Sequence, residues 1–255
     1  MGVEALGLLP ITHKKISNAK NSPISLGTRT ENLRQRLARK RKMRLATWNV
    51  QSMTNKYTEV TDALNQLKID IAILSETKKK GTGTECFLDY FHLWSGVNKS
   101  ERAATGIAIM INKNQRKYIK NYNFISERIV TLTISMYRHE TVIIGIYAPN
   151  NDANAQTKDM FYQQLEGVLD RVKQHNEVIL AGDFSARSGS KQDDEVIGKY
   201  GESVTNTSGE MLIEFCKQYE LKILNGYFAH KDIHKYTWER PSVKQRSIID
   251  KKLIW

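Results

Sequence analysis

Four short polar segments, each directly after a run rich in Ile, Val, Leu or Ala, carry the residues that could do chemistry. In chain order they are TWNV (47–50), LSET (74–77), IYAPN (146–150) and GDFS (182–185). An apolar run that stops at a polar side chain is typical of a buried strand ending there. Because ligands of layered α/β folds gather beyond strand ends, we expect Asn49, Glu76, Tyr147 and Asp183 to converge on one pocket. A fifth such segment, SIID, ends in Asp250.

Glu76 and Asp183 are carboxylates placed directly after apolar strands, where an unpaired charge is costly. Hard cations such as Mg²⁺ take oxygen ligands and are often held by only one or two carboxylates, together with water and substrate phosphate. Glu76 suits that role, whereas Asp183 could hold a metal ion or take a proton from an attacking water. The alternatives are an ordinary ion pair of Glu76 with the lysines at 78–80 and a turn capped by Asp183.

Asn49 and Tyr147 offer weaker signals of the same kind. The Asn49 amide could bind a metal ion or a phosphate oxygen, or it could simply close a turn. The Tyr147 hydroxyl could bind a phosphate or an attacking oxygen, or the ring could serve only for packing. Asn150 follows Tyr147 closely in a turn that contains Pro149.

The elements that must position these residues follow from hydrophobic periodicity. We predict strands at 43–50, 69–74, 91–94, 106–112, 117–124, 129–136, 141–147, 177–181, 221–224, 236–238 and 247–250. Helices are predicted from Tyr57, over 155–174 and around 211–216, with a loop at 186–209. The pattern favours one layered α/β domain at 44–255, preceded by a basic flexible arm at 1–43.

The net charge of +12 is concentrated near the N-terminus. Residues 1–44 hold eleven Lys or Arg and two acidic residues, which gives +9, and the remaining chain contributes only +3. The densest run contains Arg39, Lys40, Arg41 and Lys42, which we predict to bind nucleic-acid phosphates. A solvated arm without a partner is the alternative.

Cysteine usage and hydropathy bear on the compartment. The two cysteines, Cys86 and Cys216, have no pairing or metal-ligand spacing, so we expect small core residues in a nuclear or cytoplasmic protein. No apolar stretch reaches the roughly 20 residues that span a bilayer, and the start of the chain lacks the basic region of a secretory signal. We therefore expect no membrane partner.

In their order, the polar segments together resemble the endonuclease/exonuclease/phosphatase superfamily. Its apurinic-endonuclease-like members show WN, ET, Y-x-P-N, GDFN and S-x-ID in this order. The resemblance covers roughly 43–255 and looks closest to non-LTR retrotransposon endonuclease domains and domesticated relatives of the craniofacial development protein 2 type. It extends through NTSGEMLIEFCKQYELKILNGYF and TWERPSVKQRSIID. It implies a four-layered α/β sandwich, two packed β-sheets flanked by helices, that hydrolyses phosphate esters with Mg²⁺ or Mn²⁺.

The resemblance also implies a role for each matching residue. Glu76, with Asn49 nearby, would bind the metal ion. Tyr147 and Asn150 would contact the scissile phosphate. Asp183 would align and deprotonate the attacking water, in agreement with the chemistry expected of a carboxylate beside a metal ion.

Two departures from the family pattern concern the same site. Ser185 occupies the phosphate-binding position of the asparagine in GDFN, and its side chain is shorter and lacks the amide donor. Asp250 matches the aspartate that orients a catalytic histidine, but the family's final Ser-Asp-His segment does not occur in the 255 residues. The resemblance therefore predicts a C-terminally incomplete domain and puts the activity of the chain in question.

The function that we predict is divalent-metal-dependent phosphodiester hydrolysis, in the form of a DNA-nicking endonuclease of retrotransposon type that contacts the DNA backbone. A non-catalytic nucleic-acid- or protein-binding relative that retains the fold is the alternative, motivated by Ser185 and by the basic arm. A lipid or inositol phosphatase is a third possibility, because Arg187 makes GDFSAR slightly phosphatase-like.

Overall fold

Two six-stranded β-sheets pack face to face, and α-helices cover the outer face of each sheet. The computed structural model describes residues 9–11, 43–136, 139–231, 234–240, 242 and 245–254. Over these residues the layers follow the order helix, sheet, sheet, helix, which confirms the predicted four-layered α/β sandwich. No helix in the described ranges is long and apolar enough to cross a membrane.

The first sheet is built from the N-terminal half of the domain. Its strands are β1 (Leu9–Ile11), β2 (Met43–Asn49), β3 (Ile71–Ser75), β4 (Thr82–Phe87), β5 (Tyr90–Ser95) and β6 (Ile107–Asn112). They lie in the order β1-β2-β3-β6-β5-β4. Only β2 and β3 are parallel, and helix α1 (Tyr57–Gln66) makes the crossover between them.

The second sheet takes most of the remaining strands. In chain order the elements are β7 (Ile119–Ser126), β8 (Ile129–Met136), β9 (His139–Tyr147), α2 (Ala155–Leu169), β10 (Glu177–Asp183), α3 (Thr207–Gln218), β11 (Lys222–Ile223), β12 (Trp238–Arg240), β13 (Gln245–Ser247) and β14 (Asp250–Ile254). The sheet order is β11-β14-β10-β9-β8-β7, while β12 and β13 form a separate two-stranded ribbon. Helix α2 is the crossover between the parallel strands β9 and β10.

Three apolar clusters hold these layers together. Leu45 and Ile143 belong to the cluster between the two sheets, Leu64 packs α1 onto the first sheet, and Leu165 packs α2 onto the second. Each of these four side chains is at most 2% exposed. Burial of one such side chain stabilises the fold by roughly 1.5–3 kcal/mol, so the clusters fix the sheets that carry the polar strand ends.

Strand direction brings these polar ends together within each sheet. In the first sheet Asn49 lies opposite Ser75 at the ends of the parallel strands β2 and β3. In the second, Asp183 lies opposite both Tyr147, at the end of parallel β9, and Asp250, at the start of antiparallel β14. The direction in which neighbouring strands run therefore explains why the polar residues at the strand ends lie next to each other in each sheet.

Two predicted boundaries are wrong. The segment 247–250 is not one strand, because β13 ends at Ser247 and Asp250 begins β14. Asp250 still reaches the common edge, because β14 runs antiparallel to β10 and starts where β10 ends. Helix α3 begins at Thr207 inside the predicted loop 186–209, because the Asn206 side chain caps it by accepting a hydrogen bond from Gly209 N at 2.8 Å.

Two further features were not predicted. Strand β4 has the sequence TGTECF, which contains no apolar run, and its residues alternate between exposed and half-buried positions. Cys86 lies exposed on this strand, so the prediction of a core residue is wrong there, whereas Cys216 is buried. Strand β1 pairs antiparallel with β2 and falls within the predicted arm at 1–43; the flexible nature of that arm stays a prediction.

Candidate active site

Glu76 lies at a sharp turn directly after β3. Its backbone has a φ of 54°, in the left-handed region, and its carbonyl oxygen accepts a hydrogen bond from Ser52 N at 2.8 Å. The next residue is held in the same way, since Met53 N donates to Thr77 O at 2.9 Å. Backbone hydrogen bonds from the loop after β2 therefore fix the turn that presents the Glu76 side chain.

The Asn49 amide bridges Glu76, the predicted metal ligand, and Asp183, the predicted catalytic carboxylate. Its Nδ2 donates to Glu76 Oε1 at 2.8 Å and to Asp183 Oδ2 at 3.4 Å, although 134 residues separate Asn49 from Asp183 in the chain. Its Oδ1 accepts a hydrogen bond from Gln51 N at 3.1 Å. The nitrogen of the amide thus faces the pocket, and the two sheets meet at this side chain.

Asp183 ends β10 and is only 3% exposed. Its Oδ1 accepts hydrogen bonds from Ser185 N at 2.8 Å and from Ser185 Oγ at 3.2 Å. Burial is the main cause that raises the pKa of this carboxyl, and the charge of Glu76 adds to it, whereas the bonds from Ser185 oppose the shift. The two hydrogen bonds to Oδ1 therefore orient the Asp183 carboxylate, and the pKa of this carboxyl is raised.

Tyr147 is 6% exposed and lies next to the charges of Glu76 and Asp183. Burial, followed by the negative charges of Glu76 and Asp183, raises the pKa of its phenol to about 12. Arg128 packs over the ring, with its guanidinium carbon 5.1 Å from the ring centroid, and its Nη1 donates to the carbonyl oxygens of Tyr147 and Ala148 at 3.3 Å each. Sequence reasoning missed Arg128, which lies in the turn between β7 and β8 without a recognisable motif.

Asp250 faces Asp183 across the strand pair β10–β14. Thr237 Oγ1 accepts hydrogen bonds from the backbone nitrogens of Ile249 and Asp250 at 3.0 Å each, which fixes the start of β14. The Asp250 Oδ1 is buried and has no hydrogen-bond partner among the described residues. Burial, then the nearby charge of Asp183, raises the pKa of this carboxyl, so the pair does not carry two negative charges readily.

An open groove of about 560 Å³ adjoins these carboxylates. Its lining combines acids, amides, hydroxyls, two arginines and a tryptophan: Asn49, Glu76, Asn150, Asn151, Asp152, Asp183, Ser185, Arg187, Asn206, Trp238, Gln245, Arg246, Ser247 and Ile249. The predicted phosphate-binding residues Asn150 and Ser185 therefore lie on the same groove as Asp183. Such a polar lining suits an extended, charged ligand better than a small apolar one.

Glu76 forms no ion pair with the lysines at 78–80, which was the alternative interpretation of this residue. Lys79 instead places its Nζ 2.6 Å from Glu85 Oε1 and 3.5 Å from the Trp94 ring centroid, and Lys80 Nζ donates to Lys99 O at 3.1 Å. The predicted nucleic-acid-binding run at 39–42 lies outside the described residues.

The donor set of the pocket fits a hard divalent cation. Glu76 and Asp183 are held close by one neutral amide, and no described lysine or arginine forms an ion pair with either of them. Carboxylate oxygens of this kind, completed by water and substrate phosphate, are the ligands that Mg²⁺ takes. A cage built from protein alone is not the arrangement here, since the described residues contain no group of three or more His, Cys, Asp or Glu placed to hold a metal ion.

Comparison with known proteins gives concordant results. The model of the endonuclease/exonuclease/phosphatase family matches residues 46–219. Craniofacial development protein 2 from Bos taurus is 30% identical over 207 residues, and the homologue from Tragulus javanicus is 28% identical over the same length. These matches cover 81% of this chain but only 35% and 36% of the relatives, so the chain spans about a third of their length.

Solved structures with the same fold include two endonucleases and a DNA-bound phosphatase. The endonuclease domain of TRAS1, a telomere-specific non-LTR retrotransposon, gives a TM-score of 0.55 at 17% identity and covers 83% of this chain and 84% of its own. A 3′ phosphatase from Neisseria bound to a product DNA hairpin gives 0.58 at 19% identity, with 83% and 86% covered. An AP endonuclease from Archaeoglobus fulgidus gives 0.59 at 16% identity, also with 83% and 86% covered.

Proposed function

The chain belongs to the endonuclease/exonuclease/phosphatase family, and from this premise we propose that its carboxylate pocket hydrolyses phosphodiester bonds in DNA with a divalent cation. The observation that carries the proposal is the joining of Glu76, Asn49 and Asp183 by hydrogen bonds at the meeting point of the two sheets. A retrotransposon endonuclease domain and a DNA-bound phosphatase with the same fold support DNA as the substrate and nicking as the reaction.

Asp183 is the general base of the proposed reaction. Ser185 donates twice to Oδ1, whereas the only described contact of Oδ2 is the 3.4 Å bond from Asn49, so Oδ2 is the oxygen left to accept a proton. The proton of the attacking water passes to Oδ2 as the water oxygen bonds to phosphorus and the bond from phosphorus to the leaving oxygen breaks. The raised pKa of Asp183 makes its carboxylate a stronger base than an exposed one.

Glu76, with Asn49 beside it, would hold the cation. A bound Mg²⁺ or Mn²⁺ would supply positive charge to the phosphate as negative charge develops on it. The Asn49 Oδ1 already accepts a hydrogen bond from Gln51 N. In this conformation Asn49 therefore contributes its nitrogen, which donates to Glu76 and Asp183 and holds the two carboxylates next to each other.

Tyr147 and Asn150 are the proposed phosphate contacts. With a pKa raised to about 12, the Tyr147 phenol stays protonated at neutral pH and can donate a hydrogen bond to a phosphate oxygen. Arg128 packs over the Tyr147 ring and is therefore a positioning residue for it. No described residue donates a hydrogen bond to Asp250 Oδ1, which can accept one from a donor such as the histidine that the family resemblance assigns to it.

Nicking of supercoiled plasmid tests the proposal. We expect the wild-type chain to convert supercoiled to open-circular DNA in Mg²⁺ and not in EDTA. Glu76→Gln and Asp183→Asn should each lower the rate by roughly 10²–10⁴-fold, because each removes a group that acts on the reacting atoms. Asp62→Asn, on the exposed side of α1, is the matched loss of one negative charge and should leave the rate unchanged. Nicking that persists in both site variants would show that the site is elsewhere.

A non-catalytic DNA-binding relative is the second candidate, and one observation favours it. The Ser185 hydroxyl, at the position of the family's asparagine, donates to Asp183 and is not free to donate to a phosphate. Measurable DNA affinity of the wild-type chain without nicking in Mg²⁺ or Mn²⁺ would support this candidate over the enzyme.

A further inference from the structure

The wall of the groove beside Asp183 lacks a free donor at the position where Ser185 lies. The Ser185 backbone has a φ of 48°, and both its nitrogen and its hydroxyl donate to Asp183 Oδ1. A serine hydroxyl carries a single hydrogen, so a bond to Asp183 leaves none for a substrate. A phosphate in this part of the groove needs a donor from another residue.

Arg187 lies two residues further along the same wall, on a backbone that is fixed from both sides. Arg187 N donates to Asn206 Oδ1 at 3.0 Å, and Asn206 N donates to Arg187 O at 3.1 Å. The same Asn206 oxygen caps α3, and a Cβ on Gly209 of that helix would come within 1.8 Å of Arg187 O. Close packing against the start of α3 therefore holds the Arg187 backbone in place.

The Arg187 side chain is fixed along one edge only. Its Nε donates to Glu202 Oε2 at 2.7 Å, and its Nη2 lies 2.6 Å from the same oxygen. Glu202 is only 3% exposed, and its Oε1 accepts a hydrogen bond from Ile248 N at 3.2 Å. Nη1 has no hydrogen bond to any described residue, and the Arg187 side chain is 30% exposed at the groove. The guanidinium is thus oriented while one of its nitrogens stays available.

Glu202 is shared between two cations, Arg187 and Lys251. Lys251 is fully buried, its Nζ donates to Ser188 Oγ at 3.0 Å and to Ile248 O at 2.8 Å, and Glu202 is its strongest favourable charge neighbour. Burial lowers the pKa of Lys251 to about 8, so at neutral pH the ammonium is still mostly charged. The carboxylate of Glu202 is therefore divided between Arg187 and Lys251, and Asp250 is a further negative neighbour of Lys251.

We propose that Arg187 contacts the substrate directly, binding a non-bridging phosphate oxygen of the DNA backbone through its free edge and supplying the donor that Ser185 withholds. The inference rests on the proposed function and adds a residue to it. Arginine suits this role because its planar guanidinium makes charge-assisted hydrogen bonds to phosphate while another edge is held by a carboxylate. Such a contact positions the strand without reading its sequence.

The salt dependence of DNA binding separates a direct contact from a structural role. We would measure the affinity for a fluorescein-labelled DNA duplex by anisotropy in EDTA, between about 50 and 200 mM NaCl, for wild type, Arg187→Gln, Glu202→Gln and Arg171→Gln. One lost phosphate contact should lower the slope of log K against log salt by about 0.9 and weaken binding roughly 10-fold at 0.1 M salt. We expect the lower slope and the roughly 10-fold weaker binding together for Arg187→Gln only.

The other variants are controls for that result. Glu202→Gln keeps the guanidinium charge but removes the carboxylate that orients it, so it should keep most of the wild-type slope and weaken binding less than Arg187→Gln. Arg171→Gln removes an exposed arginine after α2, away from the groove. Arg187→Lys keeps the charge without the fork and should recover most of the slope. A wild-type slope for Arg187→Gln, or equal losses of affinity and melting temperature for Arg187→Gln and Glu202→Gln, would show that Arg187 is only structural and would overturn the proposal.

Failure of this inference is distinguishable from failure of the proposed function. A wild-type chain that nicks DNA, with Arg187→Gln binding and nicking equally well, would refute the role of Arg187 alone. A wild-type chain that binds DNA with an Arg187-dependent slope but never nicks would refute the proposed enzyme and leave Arg187 as a phosphate contact. Absence of any wild-type DNA binding would overturn the contact as well.

Discussion

Replacement of Gly182 by alanine perturbs the backbone that delivers Asp183 to the pocket. Gly182 has a φ of 142°, a conformation that residues with a Cβ rarely adopt, and an added Cβ would lie 1.9 Å from Ile146 O on the neighbouring strand β9. The backbone conformation alone costs on the order of 1–3 kcal/mol for a non-glycine residue. Relief of the overlap by displacing β9 or β10 costs a further 1–3 kcal/mol or so.

The expected loss of stability for Gly182→Ala is therefore about 4 kcal/mol, a large share of the roughly 5–15 kcal/mol that holds a typical domain together. Urea unfolding followed by tryptophan fluorescence and circular dichroism gives the free energy by linear extrapolation. Gly167→Ala is the matched control, because Gly167 lies in α2 and an added Cβ would meet no atom within 4 Å. This control should be stabilised by roughly 0.5–1 kcal/mol.

The contrast between the two glycine variants decides whether the reasoning holds. A stability for Gly182→Ala within about 1 kcal/mol of wild type would mean that β9 and β10 do not approach each other as closely as described. A loss for Gly167→Ala as large as that for Gly182→Ala would mean that alanine is tolerated poorly at both sites for a reason other than the contact with Ile146 O.

Three further outcomes follow from the same structure. Burial lowers the pKa of Lys252 to about 7, against 10.5 for the free side chain, so folding becomes less favourable as the pH falls from about 10 to 7. Replacement of Lys252 by methionine should therefore raise the free energy of unfolding by roughly 2–3 kcal/mol more at pH 7 than at pH 9. An equal increase at the two pH values in urea unfolding would refute the pKa shift. Asn206→Ala should lose about 1–2 kcal/mol in urea unfolding, because Asn206 Oδ1 serves both Gly209 N and Arg187 N, while Asn206→Asp should lose less. Tyr147→Phe should nick DNA roughly 10²-fold more slowly in single-turnover assays with little change in melting temperature, and an unchanged rate would exclude the hydroxyl as a phosphate donor.

Much of the pocket could be predicted because its residues sit at the ends of apolar strands. Asn49 and Asp183 end runs whose burial forces them into sheets. Parallel pairing places Asn49 beside the end of β3 and Asp183 beside Tyr147, and the packing of one sheet on the other brings Asn49 and Asp183 together. The family and the sandwich fold were predicted from the order of these segments, and both predictions are confirmed. The chemical roles of the residues and the DNA contacts of the arm at 39–42 stay predictions.

The residues that sequence reasoning missed depend on contacts between distant segments. Arg128 reaches Tyr147 across the β8–β9 pair, 19 residues away, and no local pattern marks it. Glu202 lies in a loop rich in Gly, Ser and charge, and its burial depends on Arg187, Ile248 and the start of β14 coming together. Strand β4 escaped detection because pairing with β5, rather than a hydrophobic run of its own, makes it a strand.

The measurement that bears most directly on the shared pocket is a double-mutant cycle on the nicking rate. Wild type, Glu76→Gln, Asp183→Asn and the double variant would be compared under single-turnover conditions in saturating Mg²⁺. The carboxylates of Glu76 and Asp183 both accept hydrogen bonds from the Asn49 amide and are proposed to act in one reaction. We therefore expect the double variant to nick DNA about as slowly as the slower single variant. Rate losses that multiply in the double variant, or a wild-type chain without Mg²⁺-dependent nicking, would contradict a single metal-assisted phosphodiesterase site.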